Sequence, residues 1–331
     1  TLPDAERYLD FIRRHAITVL HITPTHFQSL LYVSPGQRLK TLRFLCIGAE
    51  KLNYHLVERC YEWLHEECRV FNMYGPTEAT IMAAVLEIDK AKLPGYKGLS
   101  GVPIGKNLGN NVLLVLDRHG QLCPLYVPGE LYIGGDGVAR GYLNNPELTF
   151  ERFTNYKLQI TNYKQIPNHN VQNYKESRGG PLCLPIHHSP LTAHHSPIYR
   201  TGDPAAREAY KSNVLYKTGD LTRWLPCPAA RGAYYVIEFL GRIDFQVKIR
   251  GFRIEPGEIE KHLSDHRQVK DVLVTAREYE GGDKYLCAYV VPQPGSTAQL
   301  PGTLKKYLSG FLPDYMVPAY FVMLERMPLN P

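Results

Sequence analysis

The residues with the clearest chemical potential lie in the stretch FNMYGPTEAT, residues 71–80. A Gly-Pro pair in its middle favours a tight turn, which would present the flanking polar groups at the end of a strand. The amide of Asn72 and the ring of Tyr74 suit a purine. The hydroxyl of Thr77 suits a phosphate oxygen, and the carboxylate of Glu78 suits Mg²⁺. The same residue types also fit a surface loop in which Thr77 and Glu78 only cap a helix.

Two repeats of strand, turn and helix upstream must position this turn. Residues 17–23 and 42–50 are β-branched and aliphatic runs that end at a proline or a glycine, as buried strands do. Apolar residues at helical spacing predict helices over 4–15, 26–33 and 56–67. We therefore expect an α/β fold in which a parallel sheet binds ligands at its strand ends.

The remainder of the chain predicts two further β-rich regions. Short strands and turn residues over 101–141 favour a small β-barrel or a distorted sheet. The glycines near its end do not form a dinucleotide fingerprint, because no βαβ unit follows, so a structural role is expected. Over 245–331, strands at 271–279 and 284–292 and a helix at 304–311 predict a small α+β domain.

Composition narrows the class of protein. The chain has 331 residues, 44% of them hydrophobic, which is enough for more than one domain. The net charge of +6 suits anionic ligands, but no Lys/Arg block or nucleic-acid motif appears, so we expect no nucleic-acid partner. Seven scattered cysteines without a CxxC pair indicate a reduced, cytoplasmic protein. The sequence has no apolar run of about 18 residues, so we expect neither a membrane span nor a membrane partner.

A low-complexity insert is predicted at about 155–213. TNYK occurs at 154 and 161, and HHSP at 187 and 194. Repeats this short, rich in Asn, Gln, Pro and His, do not form a packed core. Copying HHSP is enough to explain the histidines, and we favour that interpretation over a metal site. The residues concerned are Cys183, His187, His188, His194 and His195.

Five stretches together resemble a known family, in the family's own order. They are NMYGPTEAT at 72–80, GELYIGGDGVARGYL at 129–143, YKTGDL at 216–221, GRIDFQVKIRGFRIEPGEIE at 241–260 and LPDYMVP at 312–318. The chain resembles the adenylate-forming, AMP-binding superfamily, and more closely the adenylation domains of non-ribosomal peptide synthetases. The resemblance excludes about 155–213 and a short piece near 226–235.

The resemblance implies roles for the residues on these motifs. Asn72 would contact the adenine amino edge, Tyr74 would stack on the ring, and Glu78 would hold Mg²⁺. The implied nucleotide-binding residues are Asn72, Tyr74, Gly75, Thr77, Asp220 and Arg242, and the implied catalytic residues are Thr77, Glu78 and Lys248. Asp244 matches a hinge about which the small domain rotates. YRTGDP at 199–204 is an imperfect copy of YKTGDL, so Asp220 rather than Asp203 is the expected ribose ligand.

A substrate pocket is implied in the same way. Its expected lining is His21, Leu45, Ile47, Gly48, Met73, Ile81 and Met82. Without the family, ordinary core packing is the simpler interpretation of such aliphatic residues. With it, we expect an acid with an apolar or aromatic side chain and His21 as the one polar wall. An amino acid is not separated from a hydroxy, keto or aryl acid.

The implied reaction uses ATP and Mg²⁺ to convert a carboxylic acid into acyl-AMP. The acyl group would then pass to the phosphopantetheine thiol of a carrier protein, with carrier and condensation domains of the same synthetase as partners. Residues 1–244 are expected to be the C-terminal portion of the large AMP-binding domain, a parallel α/β layer plus a distorted β-barrel. Residues 245–331 would be its small α+β C-terminal lid.

Parts of the family's machinery are not in this sequence, among them the Gly/Ser/Thr-rich phosphate loop and the lysine of a C-terminal Gly-Lys turn. We therefore expect a piece of a larger synthetase that is truncated at both ends and inactive alone. One alternative is a non-catalytic remnant or binding module. Another is a free-standing acyl-CoA or aryl-CoA ligase.

Overall fold

The computed structural model describes residues 2–33, 39–155, 214–227, 235–279, 284–296 and 299–328. The chain divides into two compact units, Thr1–Ile243 and Asp244–Pro331. The histidine-rich repeats and Asp203 lie outside the described residues. The absence of a metal site in the repeats therefore stays a prediction.

The first unit begins with the predicted α/β layer. Its helices are α1 (Leu2–Arg14), α2 (Pro24–Val33) and α3 (Tyr54–Trp63). Its strands are β1 (Val19–Ile22), β2 (Phe44–Gly48), β3 (Arg69–Tyr74), β4 (Ala84–Ile88) and β5 (Lys106–Asn107). The sheet order is β1-β2-β3-β4-β5; the first three strands are parallel, and β4 and β5 pair antiparallel.

Alternation along the strands decides which side chains meet the helices. Leu20, Leu45 and Val70 point to one face of the sheet and are buried with apolar residues of all three helices. Successive strand residues face opposite sides, so the neighbours of these residues face away from that core. The parallel order places the carboxyl ends of β1, β2 and β3 along one edge, where the predicted turn follows β3.

The second sheet of this unit is antiparallel and distorted. Its strands are β6 (Asn111–Leu116), β7 (Gly129–Gly135), β8 (Phe153–Asn155), β9 (Val214–Pro226) and β10 (Tyr235–Arg242). Their order is β10-β9-β7-β6, and β8 also pairs with β9. A short helix, α4 (Pro146–Arg152), precedes β8. Register shifts in β7 and β10 interrupt the ladder, which agrees with the predicted distorted sheet.

The second unit has the predicted α+β composition. A hairpin of β11 (Val247–Ile249) and β12 (Phe252–Ile254) leads into helix α5 (Pro256–Ser264). Three strands form its sheet: β13 (Val269–Glu278), β14 (Lys284–Pro292) and β15 (Tyr320–Met323). Helix α6 (Leu300–Leu308) and α5 contribute Ile259, Leu263, Leu304 and Leu308 to a core with the sheet.

Two further observations bear on the class of protein. The six described cysteines are buried and form no disulfide with one another. Within the described ranges, every helix is too short or too polar to cross a bilayer. The cytoplasmic location stays a prediction.

Candidate functional site

The predicted turn leaves the end of β3 as a tightly pinned loop. The Ala83 amide donates to the Tyr74 carbonyl over 2.8 Å, which closes the loop at its base. A Cβ on Gly75 would lie 2.7 Å from the Ala83 nitrogen, so glycine is needed for this close approach. Thr80 and Ile81 follow with φ of 56° and 67°, a left-handed conformation that is costly for a β-branched residue. Strain of this kind clusters at functional sites.

A buried carboxylate lies at the centre of the candidate site. Asp220 accepts from the Tyr74 hydroxyl at Oδ2 and from Arg242 Nη1 at Oδ1, the latter over 2.9 Å. The side chain of Asp220 is 4% exposed and that of Arg242 13%. Burial raises the pKa of Tyr74, and the charge and hydrogen bond of Asp220 raise it further, so the phenol stays a donor. Each carboxylate oxygen has two lone pairs, which leaves Asp220 capacity to accept from a ligand.

The long strand β9 carries Asp220 into this cluster. Asp220 is the direct partner of Arg242 in the β9–β10 ladder. Thr218 donates to the Leu131 carbonyl over 2.7 Å and accepts from the Asp220 amide over 3.0 Å. These bonds fix the backbone on either side of Gly219. The structure therefore brings together Tyr74, Asp220 and Arg242, which are far apart in the sequence.

Asn72 is held by the loop before β5. Its Nδ2 donates to the carbonyls of Val102 and Pro103 over 3.0 and 2.8 Å, and the residue is 2% exposed. Both amide hydrogens are thereby used. A ligand would meet only the acceptor Oδ1, which is the atom suited to an adenine amino group.

Glu78 is buried and hydrogen-bonded, whereas its neighbour Thr77 is exposed. Glu78 is 8% exposed, and its Oε1 accepts from the Tyr142 hydroxyl over 2.6 Å. Two further hydrogen bonds hold the same segment: Ala139 N donates to the Glu78 carbonyl over 2.8 Å, and Thr80 Oγ1 donates to the Gly137 carbonyl over 2.7 Å. The sequence did not indicate Tyr142, since its motif was assigned only a structural role.

The donor set around Glu78 suits one kind of metal site. The described residues contain no group of three or more His, Cys, Asp or Glu side chains able to hold a metal ion. Mg²⁺ is usually bound through one or two carboxylates plus the phosphates of a substrate. Glu78 therefore fits a Mg²⁺ ion that arrives with a nucleotide.

A cavity of about 830 Å³ opens at the carboxyl ends of β1, β2 and β3. Among the predicted residues, its wall includes His21, Gly48, Met73, Gly75, Thr77, Ile81 and Met82. Helices α1 and α2 also contribute to it. The polar residues of the wall include Asp4, Thr23, His26 and Ser29, so the expectation that His21 is its one polar group is wrong.

Leu45 and Ile47 do not line this cavity. Both are fully buried in the core beneath the helices. Side chains alternate along β2, so Cys46 and Gly48 reach the cavity instead. The sequence did not indicate Cys46, because β2 is apolar on both faces and its residue pattern does not mark the side that faces the cavity. Burial raises the pKa of the Cys46 thiol, which favours that apolar character.

The two remaining predicted residues belong to the second unit. Asp244 begins it and accepts from the Gln246 amide over 3.3 Å. Lys248 lies on β11 opposite Arg253. Their roles as hinge and catalytic lysine stay predictions.

Comparison with known proteins gives the family. The profile of the AMP-binding enzyme family matches residues 1–143, and that of the AMP-binding enzyme C-terminal domain matches residues 258–331. The chain belongs to the AMP-binding enzyme family. This confirms the resemblance predicted from the five motifs. The two profiles fall in the first and second units respectively.

Curated relatives of this AMP-binding enzyme are peptide synthetases. The chain is 37% identical over 334 residues to gramicidin S synthase 2 of Brevibacillus brevis, covering 99% of this chain and 6% of that protein. It is 37% identical to tyrocidine synthase 3 of Brevibacillus parabrevis, covering 99% and 4%. Malpibaldin synthetase of Mortierella alpina is also 37% identical, with 99% and 5% covered. The chain spans 4 to 6% of the length of these relatives.

Solved structures agree on the fold. An artificially fused adenylation-PCP di-domain, NpsA-ThdA, from Klebsiella oxytoca matches with a TM-score of 0.65 and 23% identity, covering 96% of this chain and 46% of that one. The Vibrio cholerae adenylation domain AlmE, in complex with glycyl-adenosine-5'-phosphate, matches with a TM-score of 0.67 and 23% identity, covering 99% and 49%. The AMP-binding enzyme thus has the adenylation-domain fold.

Proposed function

We propose that this chain is part of an enzyme that activates a carboxylic acid with ATP. A carboxylate oxygen of the acid attacks the α-phosphorus, the bond from that phosphorus to pyrophosphate breaks, and acyl-AMP forms. The observation that carries this proposal is the buried cluster of Tyr74, Asp220 and Arg242. Tyr74 ends β3 directly before the turn that bears Thr77 and Glu78, and that turn borders the cavity.

On the nucleoside side, Asp220 accepts hydrogen bonds from the ribose hydroxyls. Arg242 and Tyr74 hold the two carboxylate oxygens in place, so little reorganisation is needed when the nucleotide binds. Asn72 Oδ1 accepts from the adenine amino group, and the ring of Tyr74 provides the stacking surface.

On the phosphate side, Thr77 and Glu78 act at the start of the turn. Exposed Thr77 donates to a phosphate oxygen, and Glu78 holds the Mg²⁺ that neutralises charge on the phosphates. The pinned loop keeps these two groups in a fixed relation, which serves the positioning that phosphoryl and nucleotidyl transfer require.

The acid occupies the cavity at the strand ends. Met73, Ile81 and Met82 offer apolar surface to its side chain, and a volume of about 830 Å³ is within the range of small-ligand sites. We therefore infer an amino acid with an apolar or aromatic side chain. The polar groups from α1 and α2 lie on the same wall and are available to its amino and carboxylate groups.

The acyl group then passes to a carrier-protein phosphopantetheine thiol: the thiol loses its proton, a thioester forms, and the bond from the acyl carbon to AMP breaks to release AMP. The synthetase relatives support this second step, as does a structural relative described as an adenylation-PCP di-domain. In this proposal, residues 1–244 belong to the large AMP-binding domain and residues 245–331 form its lid. Asp244 is the hinge, and Lys248 acts within the lid.

ATP–pyrophosphate exchange across a panel of carboxylic acids tests the proposal. The assay is run on this chain and on a longer polypeptide with upstream and downstream coding sequence added. We expect exchange by the longer polypeptide alone, strongest with apolar or aromatic amino acids and abolished by EDTA. Exchange only with Asp or Glu would contradict the proposed pocket.

Two other results would favour the alternative functions. A longer polypeptide that folds and binds ATP but exchanges with no acid would indicate a non-catalytic binding module. Transfer of the acyl group to free coenzyme A rather than to a carrier domain would indicate an acyl-CoA ligase.

A further inference from the structure

A second loop is fastened to the turn that carries Glu78. Residues 136–142, here the clasp loop, connect β7 to the segment before α4. Three hydrogen bonds join it to the turn. They run from Ala139 N to the Glu78 carbonyl, from Thr80 Oγ1 to the Gly137 carbonyl, and from the Tyr142 hydroxyl to Glu78 Oε1.

Of these three bonds, the one from Tyr142 reaches the side chain of Glu78. At 2.6 Å it is a short hydrogen bond to a carboxylate, the stronger charge-assisted kind. It holds Oε1, and thereby restricts the rotation of the carboxylate about its last bond. The other two bonds set where the residue lies, whereas the hydroxyl acts on the orientation of its carboxylate.

The ring of Tyr142 is itself held on several sides. It meets Phe153 edge-on, with centroids 5.4 Å apart, and Phe153 in turn contacts Tyr216 at 5.1 Å. The Tyr142 amide donates to Thr149 Oγ1 over 2.9 Å. Tyr216 lies on β9, the strand that carries Asp220 four residues later. Packing of the Tyr142, Phe153 and Tyr216 rings thus holds the Tyr142 hydroxyl in position.

We propose that Tyr142 is a positioning residue, which orients the Glu78 carboxylate for the Mg²⁺ that accompanies ATP. This inference rests on the proposed function. Groups that hydrogen-bond to a metal ligand typically change metal affinity by about 10- to 100-fold when removed. Tyr142 has no proposed contact with the substrate or the metal.

The test is run on the longer polypeptide of the exchange assay and compares ATP binding with and without Mg²⁺ by isothermal titration calorimetry, so its readout does not depend on turnover. Tyr142→Phe keeps the ring and removes one oxygen. Tyr126→Phe is the matched control, because it also removes one tyrosine hydroxyl, from a residue that lies on the surface at 58% exposure. Glu78→Gln provides the reference for loss of the metal ligand. Each protein is first checked for a cooperative thermal transition.

In the wild type, Mg²⁺ should tighten ATP binding. In Tyr142→Phe, the Mg²⁺ concentration for half of that effect should rise about 10-fold or more, while ATP affinity in EDTA stays unchanged. Tyr126→Phe should match the wild type. If Tyr142→Phe does not fold, Phe153→Leu, which keeps the hydroxyl but loosens the ring, should shift the Mg²⁺ dependence in the same direction by a smaller factor.

Four results would overturn the inference. An unchanged Mg²⁺ dependence in Tyr142→Phe, or in its substitute Phe153→Leu, would show that the hydroxyl does not orient Glu78. Equal weakening of ATP binding with and without Mg²⁺ would assign Tyr142 to the loop's fold alone. A wild type that binds no ATP would remove the proposed function and this inference together, and wild-type binding that ignores Mg²⁺ would remove the metal role of Glu78.

Discussion

At the scale of single residues, the site depends on pairing charges that water does not reach. Asp220 and Arg242 are both largely buried, and they form an ion pair in which each charge compensates the other. A buried charge that loses its partner is costly, whereas loss of a neutral donor costs less. The Tyr74 hydroxyl and the Arg242 guanidinium therefore contribute differently to the same carboxylate.

Substitutions at the cluster separate these two contributions. Asp220→Asn removes the carboxylate charge that pairs with Arg242, and we expect a loss of about 3–5 kcal/mol in the free energy of unfolding together with loss of AMP binding. Tyr74→Phe removes one hydrogen bond, with an expected loss of about 1–3 kcal/mol. Urea denaturation measures the free energy of unfolding of each variant, and calorimetric titration measures AMP binding. Equal losses for the two variants would argue against the ion pair as the main contributor.

Sequence reasoning named the three residues of this cluster but not the bonds between them. Tyr74, Asp220 and Arg242 each lie on a recognisable motif. The hydrogen bond between Tyr74 and Asp220 was not predictable, because it joins residues 146 positions apart. Tyr142 was missed for the same reason, since its meaning depends on Glu78, 64 positions upstream. Residue type suggests a ligand, but only the fold shows which group holds that ligand in place.

At the scale of elements, the two faces of β2 have different tasks. Leu45 and Ile47 face the helices, and Cys46 and Gly48 face the cavity. The strand itself was predicted correctly from its aliphatic run. Its orientation was not, because a run that is apolar on both faces lacks the alternation that would mark one side.

The division of β2 predicts different effects for two truncations. Leu45→Ala opens a space in the core, and we expect a loss of about 2–5 kcal/mol in the free energy of unfolding without a change in acid preference. Met82→Ala shortens a half-buried side chain in the cavity wall and so enlarges the cavity. The free energy of unfolding should fall by less than about 1.5 kcal/mol, while larger acids should be accepted. Urea denaturation and the exchange panel on the longer polypeptide distinguish the two. A changed acid preference in Leu45→Ala would return that residue to the pocket.

At the scale of the whole molecule, the chain has two units with separate cores. The second unit buries residues of its hairpin, of α5 and α6, and of its three-stranded sheet, including Ile254, Ile259, Leu286 and Leu304. A region with its own core and a length in the usual domain range is able to fold alone.

We therefore expect residues 244–331, expressed alone, to fold cooperatively. The checks are a single thermal transition by circular dichroism and a dispersed amide spectrum by NMR. Leu304→Ala, at a fully buried position of α6, should lower the midpoint of that transition. A collapsed spectrum for residues 244–331 would mean that this unit depends on the rest of the chain.

The pairing of β8 with β9 has a consequence for protein engineering. Asn155 and Val214 are direct ladder partners, so the chain leaves and re-enters the sheet at one place. Phe153 and Tyr216 are partners two residues further along the same ladder, on the side towards Asp220, and their rings contact each other. A shorter linker or a fluorescent reporter inserted between Asn155 and Val214 would therefore begin and end at two paired residues of the sheet. This position is therefore suited to recombining or labelling the protein without redesigning the cluster of Tyr74, Asp220 and Arg242.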